Sequence, residues 1–437
     1  MGLKFINGLK KNTNIFKNRV VKNAGWLIAA KVVQSILSIV VTIISARFLG
    51  PSSYGLVSYA ASVVSFVTPI TLLGLGNIQV QEYINHPEEE GKILGSSVAM
   101  SCVSAVFCII GVISFSLIAN VDSFETTIIV SLYSTVLFFQ ATELIMYWFQ
   151  AKYLNKYYAI VGLIAYVSIS SYKIFILVFG LSIKLFALSN AFDYFLITMI
   201  LFIIYKKKGG NGLKIDRKTA LRLFKRSRHY IIPNLMISIF TQTDHIMIKH
   251  MIDDVALGYY TAATTCAAYA NFVFTAIIDS SRPSIFENYK ISEENFEKSV
   301  IRLYSIVIYL AISFGIIMMI FSPIAIKILY GDDYKSSINS LMIVSWFPLF
   351  SFVGSVRNVW VLAKNRQKFL WVVNMLGAGS NIVLNFILIP FFGIEGAATA
   401  SLFTQCLTNV IFTAIFRPYR RSAILMLKSL KFYKYLK

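Results

Sequence analysis

YIIPNLMISIFTQTDHIMIKHMIDDVALGYYTAA, running from Tyr230 to Ala263, decides how the rest of the chain is read. It holds one apolar span, a short polar turn and the start of a second span. Asn234, Ser238, Thr241 and His245 fall at i, i+4, i+7 and i+11, which is one face of a helix. The run LIAAKVVQSILSIVVTIISARFLGPSSYGLVSYA, Leu27 to Ala60, repeats this design 203 positions earlier. There Lys31, Ser35, Ser38 and Thr42 occupy the stripe, and Gly55, Ser58 and Ala60 stand against Gly258, Thr261 and Ala263. Polar stripes in the same register on two membrane helices point to two related halves facing a shared wet cavity, the design of a transporter.

The composition leads to the same class. With 57% hydrophobic and 14% charged residues over 437 positions and a mean hydropathy of +0.68, an ordinary soluble protein is excluded. Apolar runs long enough to cross a bilayer recur throughout. They predict an all-α integral membrane protein of about twelve helices, near 24–47, 54–80, 93–119, 126–149, 158–180, 185–205, 231–250, 256–281, 304–328, 338–362, 370–390 and 397–416. Of the 41 Lys and Arg residues, 33 lie in the N-terminal segment, the connections after even-numbered spans and the C-terminal tail. Both termini are therefore expected to be cytoplasmic. The same distribution accounts for the net charge of +21 without a nucleic-acid partner, because the basic residues form no single stripe.

The organisation follows: a basic N-terminus (1–23), a six-helix lobe (24–205), a basic linker (206–230), a second six-helix lobe (231–416) and a basic tail (417–437). An even number of spans per lobe predicts parallel repeats about an axis along the membrane normal. The linker, with KKKGGNG and RKTALRLFKRSR, is expected to lie on the inner membrane surface. Cys102, Cys108, Cys266 and Cys406 all lie inside apolar spans with no CxxC pair, so neither disulfide nor metal site is expected. No phosphate-binding glycine loop precedes a Lys-Ser or Lys-Thr, which leaves no support for ATP or any other cofactor. Pro69 and Pro348 are expected to kink their spans, and Gly74, Gly76, Gly377 and Gly379 to allow close helix contact.

ARFLGPSSYGLVSYA followed by TLLGLG resembles the first hairpin of the polysaccharide-transport branch of the multidrug/oligosaccharidyl-lipid/polysaccharide (MOP) exporter superfamily, the O-antigen and capsule flippases. WFQAKYLNKYYAI, TDHIMIKHMIDDVALGYYTAA and LNFILIPFFGIEGAATASL continue the resemblance in the family's order across almost the whole chain. It implies a non-enzymatic flippase of the bacterial plasma membrane, working by alternating access. The cargo implied is an undecaprenyl-pyrophosphate-linked oligosaccharide repeat unit; the partners implied are the bilayer and polysaccharide polymerase and chain-length machinery. A drug or small-cation exporter of the same superfamily is the first alternative. A polytopic polymerase or ligase is the second, although the outward connections are short and LYGDDYKSS offers only Asp332, Asp333 and Lys335.

Charges within spans are the candidate site, since each costs about 2.5–3.5 kcal/mol at a helix centre on the insertion scale. Lys31, Lys173 and Arg357 are the candidate cations for a pyrophosphate, with Gln34, Ser38, Asn234 and Thr241 completing the cavity wall. Asp244, His245 and Glu143 are the candidates for coupling transport to an ion gradient. Asp244 matches the acid of the family's seventh-helix pattern. Asp193 is a further acid within a span, and Asp279 is expected to pair locally with Arg282.

Overall fold

The protein, seen in a computed structural model, is described over residues 19–121, 123–367 and 370–431, with the side chains of 19–31 outside that description. Every expected span overlaps a helix. Among the described residues nine helical stretches are long and apolar enough to cross a bilayer. The helix Ile231–Met251 is not among the nine, because its polar stripe lowers its hydropathy.

Two of the long helices bend at a glycine. Gly50 has φ 68° and ψ 171° within Arg19–Thr71, and Gly393 has φ 58° and ψ −134° within Leu370–Cys406. At Gly50 the cause is local: Pro51 disfavours helical geometry in the preceding residue, and only glycine takes this positive-φ alternative without a Cβ penalty. The corresponding turn 203 positions later is built differently. Asp253 is extended there, and its carboxylate accepts the Ala256 amide at 2.7 Å to cap Asp254–Ala268. A proline starts one helix and a capping carboxylate starts its counterpart.

Several spans are more broken than the sequence predicts. The second expected span, 54–80, ends as a helix at Thr71. It turns through left-handed Leu73 and Gly74 and resumes as Gln79–Asn85. The span 126–149 divides into Phe124–Ser134, Val136–Thr142, a 3-10 turn Glu143–Ile145 and Met146–Ala151. At these breaks hydroxyls bond back three residues: Ser134 to the Ser131 carbonyl, Thr135 to that of Leu132 and Thr142 to that of Phe139, each at 2.7 Å. Such bonds compete with the α-helical ladder and tighten the turn. Pro348 does interrupt its span, sitting in the first turn of Phe347–Ala363 after the break at Ser345–Trp346. Pro69 lies in the last turn of its helix, whose bend is at Gly50 instead.

The chain forms two compact units. Unit 1 comprises the described residues up to Phe48 and those of 63–235. Its core gathers Leu75, Tyr83, Ile145, Trp148, Leu201 and Tyr205, with the Trp148 and Tyr205 rings edge-on at 4.8 Å. Unit 2 comprises Leu49–Ser62 and the described residues from Met236 onward. Its core includes Phe274 and Phe352, stacked at 4.5 Å, with Tyr304, Trp360 and Tyr419. Residues 49–62 belong to unit 2 because they run backbone to backbone along the start of Asp254–Ala268. A Cβ on Gly55 would stand 2.7 Å from the Gly258 nitrogen, and one on Gly258 would stand 2.7 Å from the Pro51 carbonyl carbon. Ser58 and Thr261, again 203 positions apart, share a hydrogen bond of 2.8 Å. Gly55 and Ser58 thus meet their repeat partners, Gly258 and Thr261.

The units also carry a common internal device. Trp148-Phe149-Gln150-Ala151-Lys152 and Trp360-Val361-Leu362-Ala363-Lys364 each end a helix, followed by Tyr153 or Asn365 at φ 56° and 52°. Lys152 pairs with Glu90 at the start of Glu90–Ala119, and Lys364 with Glu293 at the start of Glu293–Leu329.

In unit 1 the linker is docked by one face. Lys214 donates its amide to the Gly91 carbonyl at 3.1 Å, and the Asp216 amide donates to Ser96 Oγ at 3.0 Å. Asp216 then caps Arg217–Ser227, from which Arg222 donates to Glu89 at 2.6 Å and Arg226 to the fully buried Glu82. Arg222 holds the Glu89 carboxyl below its ordinary range, and the Thr219 amide and hydroxyl do the same for Asp216. A carboxylate lowered in the folded state stabilises it above the ordinary pKa of about 4 and loses that contribution as pH falls through the lowered value. Acidification below about pH 4 is therefore expected to release this helix. Amide exchange over 217–227, corrected for intrinsic pH dependence, should accelerate there; unchanged protection would contradict the docking.

Candidate functional site

Asp244 sits on the fourth turn of Ile231–Met251 and is only 7% exposed. Tyr260, from Asp254–Ala268, donates to Oδ2 at 2.6 Å. The bent helix Leu370–Cys406 supplies the rest: Asn385 Nδ2 donates to Oδ1 at 2.7 Å and Ser401 Oγ donates to Oδ2. Asn381 supports both neighbours, giving its amide to Ser401 Oγ at 3.1 Å and accepting from Asn385 at 3.2 Å. The bend at Gly393 lets one helix present Asn381 and Asn385 from one arm and Ser401 from the other. All three donors are neutral, and among the described residues no Lys or Arg pairs with Asp244. One carboxylate oxygen set therefore sits in a buried polar network with no fixed counter-cation, beside an Asn385 Oδ1 that has no hydrogen-bond partner. Such a network is either fully satisfied or costly, since an unpaired buried group loses its hydration without return.

His245 turns the other way. Its Nδ1 meets Ser62 Oγ at 3.0 Å, its ring stands edge-on to Tyr260 at 5.6 Å, and its buried Nε2 has no partner. Asn234 and Ser238 are half-buried, and Thr241 is exposed with its hydroxyl bonded back to the Ile237 carbonyl at 3.0 Å.

Unit 1 holds a second polar group of residues. Lys173 donates to Asn190 Oδ1 at 2.7 Å and lies 5.4 Å from the centroid of the Phe186 ring. Asp193, within electrostatic reach of Lys173 and of Glu143, has a buried Oδ1 with no hydrogen bond. Glu143 opens the 3-10 turn and accepts from Tyr158 at 3.2 Å. Ser38, from the first polar stripe, hydrogen-bonds Tyr166, and Gln34 is half-buried on the same helix. Lys31 is helical in its backbone, but its side chain lies outside the described residues. Asp279 does pair with Arg282, at 3.1 Å.

Arg357 departs from the expected cavity position. It is 3% exposed and spends its donors inside unit 2, on the Thr408 carbonyl at 3.1 Å, Thr413 Oγ1 at 3.0 Å and Asn358 Oδ1 at 3.2 Å. The reason is the π-turn Leu407–Ile411, where the backbone ladder shifts by one residue and the Thr408 carbonyl is left to side-chain donors. Arg357→Lys should cost about 1–2 kcal/mol in thermal unfolding, because one ammonium cannot reach three acceptors held by a planar fork. An unchanged midpoint would show that the fork is dispensable.

Asn381, Asn385, Ser401 and Tyr260 are the site residues that reading from the sequence missed. The available signal was two amides at i and i+4 in an otherwise apolar span.

The fold is one shared with solved membrane transporters. It aligns with an inward-facing multidrug resistance MATE family transporter at a TM-score of 0.70 and 11% identity, covering 91% of this chain and 96% of that one. With the inward closed conformation of the lipid II flippase MurJ the TM-score is 0.67 at 17% identity, covering 94% and 92%. The chain belongs to the polysaccharide biosynthesis protein family, whose pattern matches residues 20–289. A putative O-antigen transporter of Shigella flexneri is 20% identical over 397 residues, 87% of this chain and 93% of that protein. The uncharacterized membrane protein MJ1068 of Methanocaldococcus jannaschii is 25% identical over 261 residues, 54% of this chain and only about half, 49%, of that relative.

Proposed function

We propose that the protein is a flippase moving a polyprenyl-pyrophosphate-linked glycan, of the undecaprenyl type, from the cytoplasmic to the outer leaflet of a bacterial plasma membrane. The observation that carries this reading is the alignment with the putative O-antigen transporter along nearly the full length of both chains. The fold shared with a lipid II flippase supports it. Lys173 is the described cation assigned to the pyrophosphate, with Lys31, Gln34, Ser38, Asn234 and Thr241 assigned to the cavity wall; Arg357 is left out because its donors are occupied. A pyrophosphate leaves water only where cations or oriented donors replace its hydration.

Coupling is assigned to Asp244. A buried carboxylate held by three neutral donors gains a proton or a small cation in one state of the cycle and releases it in the other, and the difference drives alternating access. His245 and Glu143 are the secondary candidates. In cells depleted of the protein, lipid-linked glycan should accumulate where a sugar-oxidising reagent added outside cannot reach it, and re-expression should clear it. Absence of that pool would overturn the reading. The drug-exporter alternative draws on the MATE likeness and predicts altered drug susceptibility with no trapped glycan.

A further inference from the structure

Two helices outside the spans correspond residue by residue. Arg217–Ser227 reads RKTALRLFKRS and Arg420–Ser429 reads RRSAILMLKS, and their first residues are 203 positions apart, the spacing of the helix hairpins. The charge bias places both on the cytoplasmic side.

Each helix is fixed to its own unit by one face. Thr219 and Leu223 are buried in unit 1, and Ser422 and Met426 occupy the same positions in unit 2. The bonds that hold them differ. Arg222 and Arg226 reach Glu89 and Glu82 in unit 1. In unit 2, Arg421 grips Glu297 through two bonds of 2.5 and 2.6 Å, Ser422 meets Tyr304 at 2.8 Å, and the Ser429 carbonyl accepts from Ser305 at 2.9 Å.

The opposite faces match. Leu221, Phe224 and Lys225 are exposed on the first helix, and Ile424, Leu427 and Lys428 stand exposed in the same order on the second. Leu221 is 51% and Leu427 59% exposed. Arg217, Lys218 and Arg228 rim the first face, with Arg420 and Lys431 at the ends of the second. Bulky apolar side chains facing water beside lysines are unfavourable on a soluble surface. They suit a bilayer interface, where apolar groups reach the headgroup–acyl boundary and ammoniums extend to lipid phosphates.

We propose that both helices are lipid-docking surfaces, a matched pair with one on each unit, whose occupant is the anionic phospholipid of the inner leaflet. The cationic rim selects anionic over zwitterionic headgroups, and the apolar residues set the depth. This inference is independent of the cargo assigned above.

The test uses the full chain with its four cysteines replaced by alanine and a bimane label at Leu221→Cys or Leu427→Cys. The labelled protein goes into nanodiscs of phosphatidylcholine alone or mixed with phosphatidylglycerol. Bromine on the lipid chains should quench both labels about twofold in the mixed discs, and about 0.5 M salt should weaken this. Lys218→Gln with Lys225→Gln should remove the phosphatidylglycerol dependence at 221, and Lys428→Gln should weaken it at 427. Labels open to iodide and untouched by bromine in the mixed discs would overturn the proposal. So would labels shielded from both, which would point to a protein partner. As a check free of substitutions, amide exchange over 217–227 and 420–429 in the wild-type chain should slow when phosphatidylglycerol is added; equal exchange in both discs counts against it.

Discussion

Asp244→Ala is expected to abolish glycan export and to lower the thermal midpoint, whereas Asp244→Asn should lose export while keeping most of the stability. Alanine removes the acceptor of Tyr260, Asn385 and Ser401 together. Each buried donor left unsatisfied costs about 1–3 kcal/mol, so the combined loss is a large fraction of what holds unit 2 together. Asparagine keeps a polar group of the same shape, and the Tyr260 and Ser401 hydroxyls can accept from its amide. What it loses is the negative charge. If that charge is what a proton or cation neutralises in each cycle, export should fall at least about tenfold, the scale of an ordinary coupling free energy. Surface glycan measured beside unfolding in detergent separates the two effects. Normal export by Asp244→Asn under every imposed ion gradient would remove Asp244 from the mechanism.

A disulfide between Ser58→Cys and Thr261→Cys should form readily and stop export, with a reductant restoring it. The two hydroxyl oxygens are 2.8 Å apart, and Gly55 and Gly258 keep the backbones close enough for a bridge. Both segments lie in unit 2, so the bridge freezes the protein in one state only if residues 49–62 part from the start of Asp254–Ala268 during the cycle. Gly258→Leu tests the same crossing by crowding, since its side chain would run into the Pro51 carbonyl. Overpacking of this kind typically costs about 1–3 kcal/mol, and more where the obstacle is backbone. Full export by the cross-linked protein would show that this crossing does not open.

The repeat was legible because its signals are local and period-specific. The polar stripes, and the small residues Gly55, Ser58, Gly258 and Thr261, can be read from spacing alone, and the structure brings those four together. The Asp244 network was only half legible. An acid in a span announces itself by cost, but Asn385 lies 141 positions away and Ser401 157, and an amide or hydroxyl in an apolar run carries no comparable signal. Helix interruptions at Thr135 and Glu143 stayed hidden because hydropathy measures transfer into lipid, not the hydroxyl back-bonds that tighten a turn. Arg357 shows the opposite failure. Its charge stood out, but its role depends on a π-turn some fifty residues later that no pattern of side chains predicts.

The most direct measurement of the central claim is translocation in proteoliposomes. Purified protein would be reconstituted with a polyprenyl-pyrophosphate-linked glycan, and the fraction of glycan crossing to the far leaflet followed by a sugar-modifying enzyme confined to one side. The wild-type chain should move the glycan in response to an imposed proton or sodium gradient, and Asp244→Asn should not. Equal crossing in empty vesicles and in those containing the protein would contradict the account.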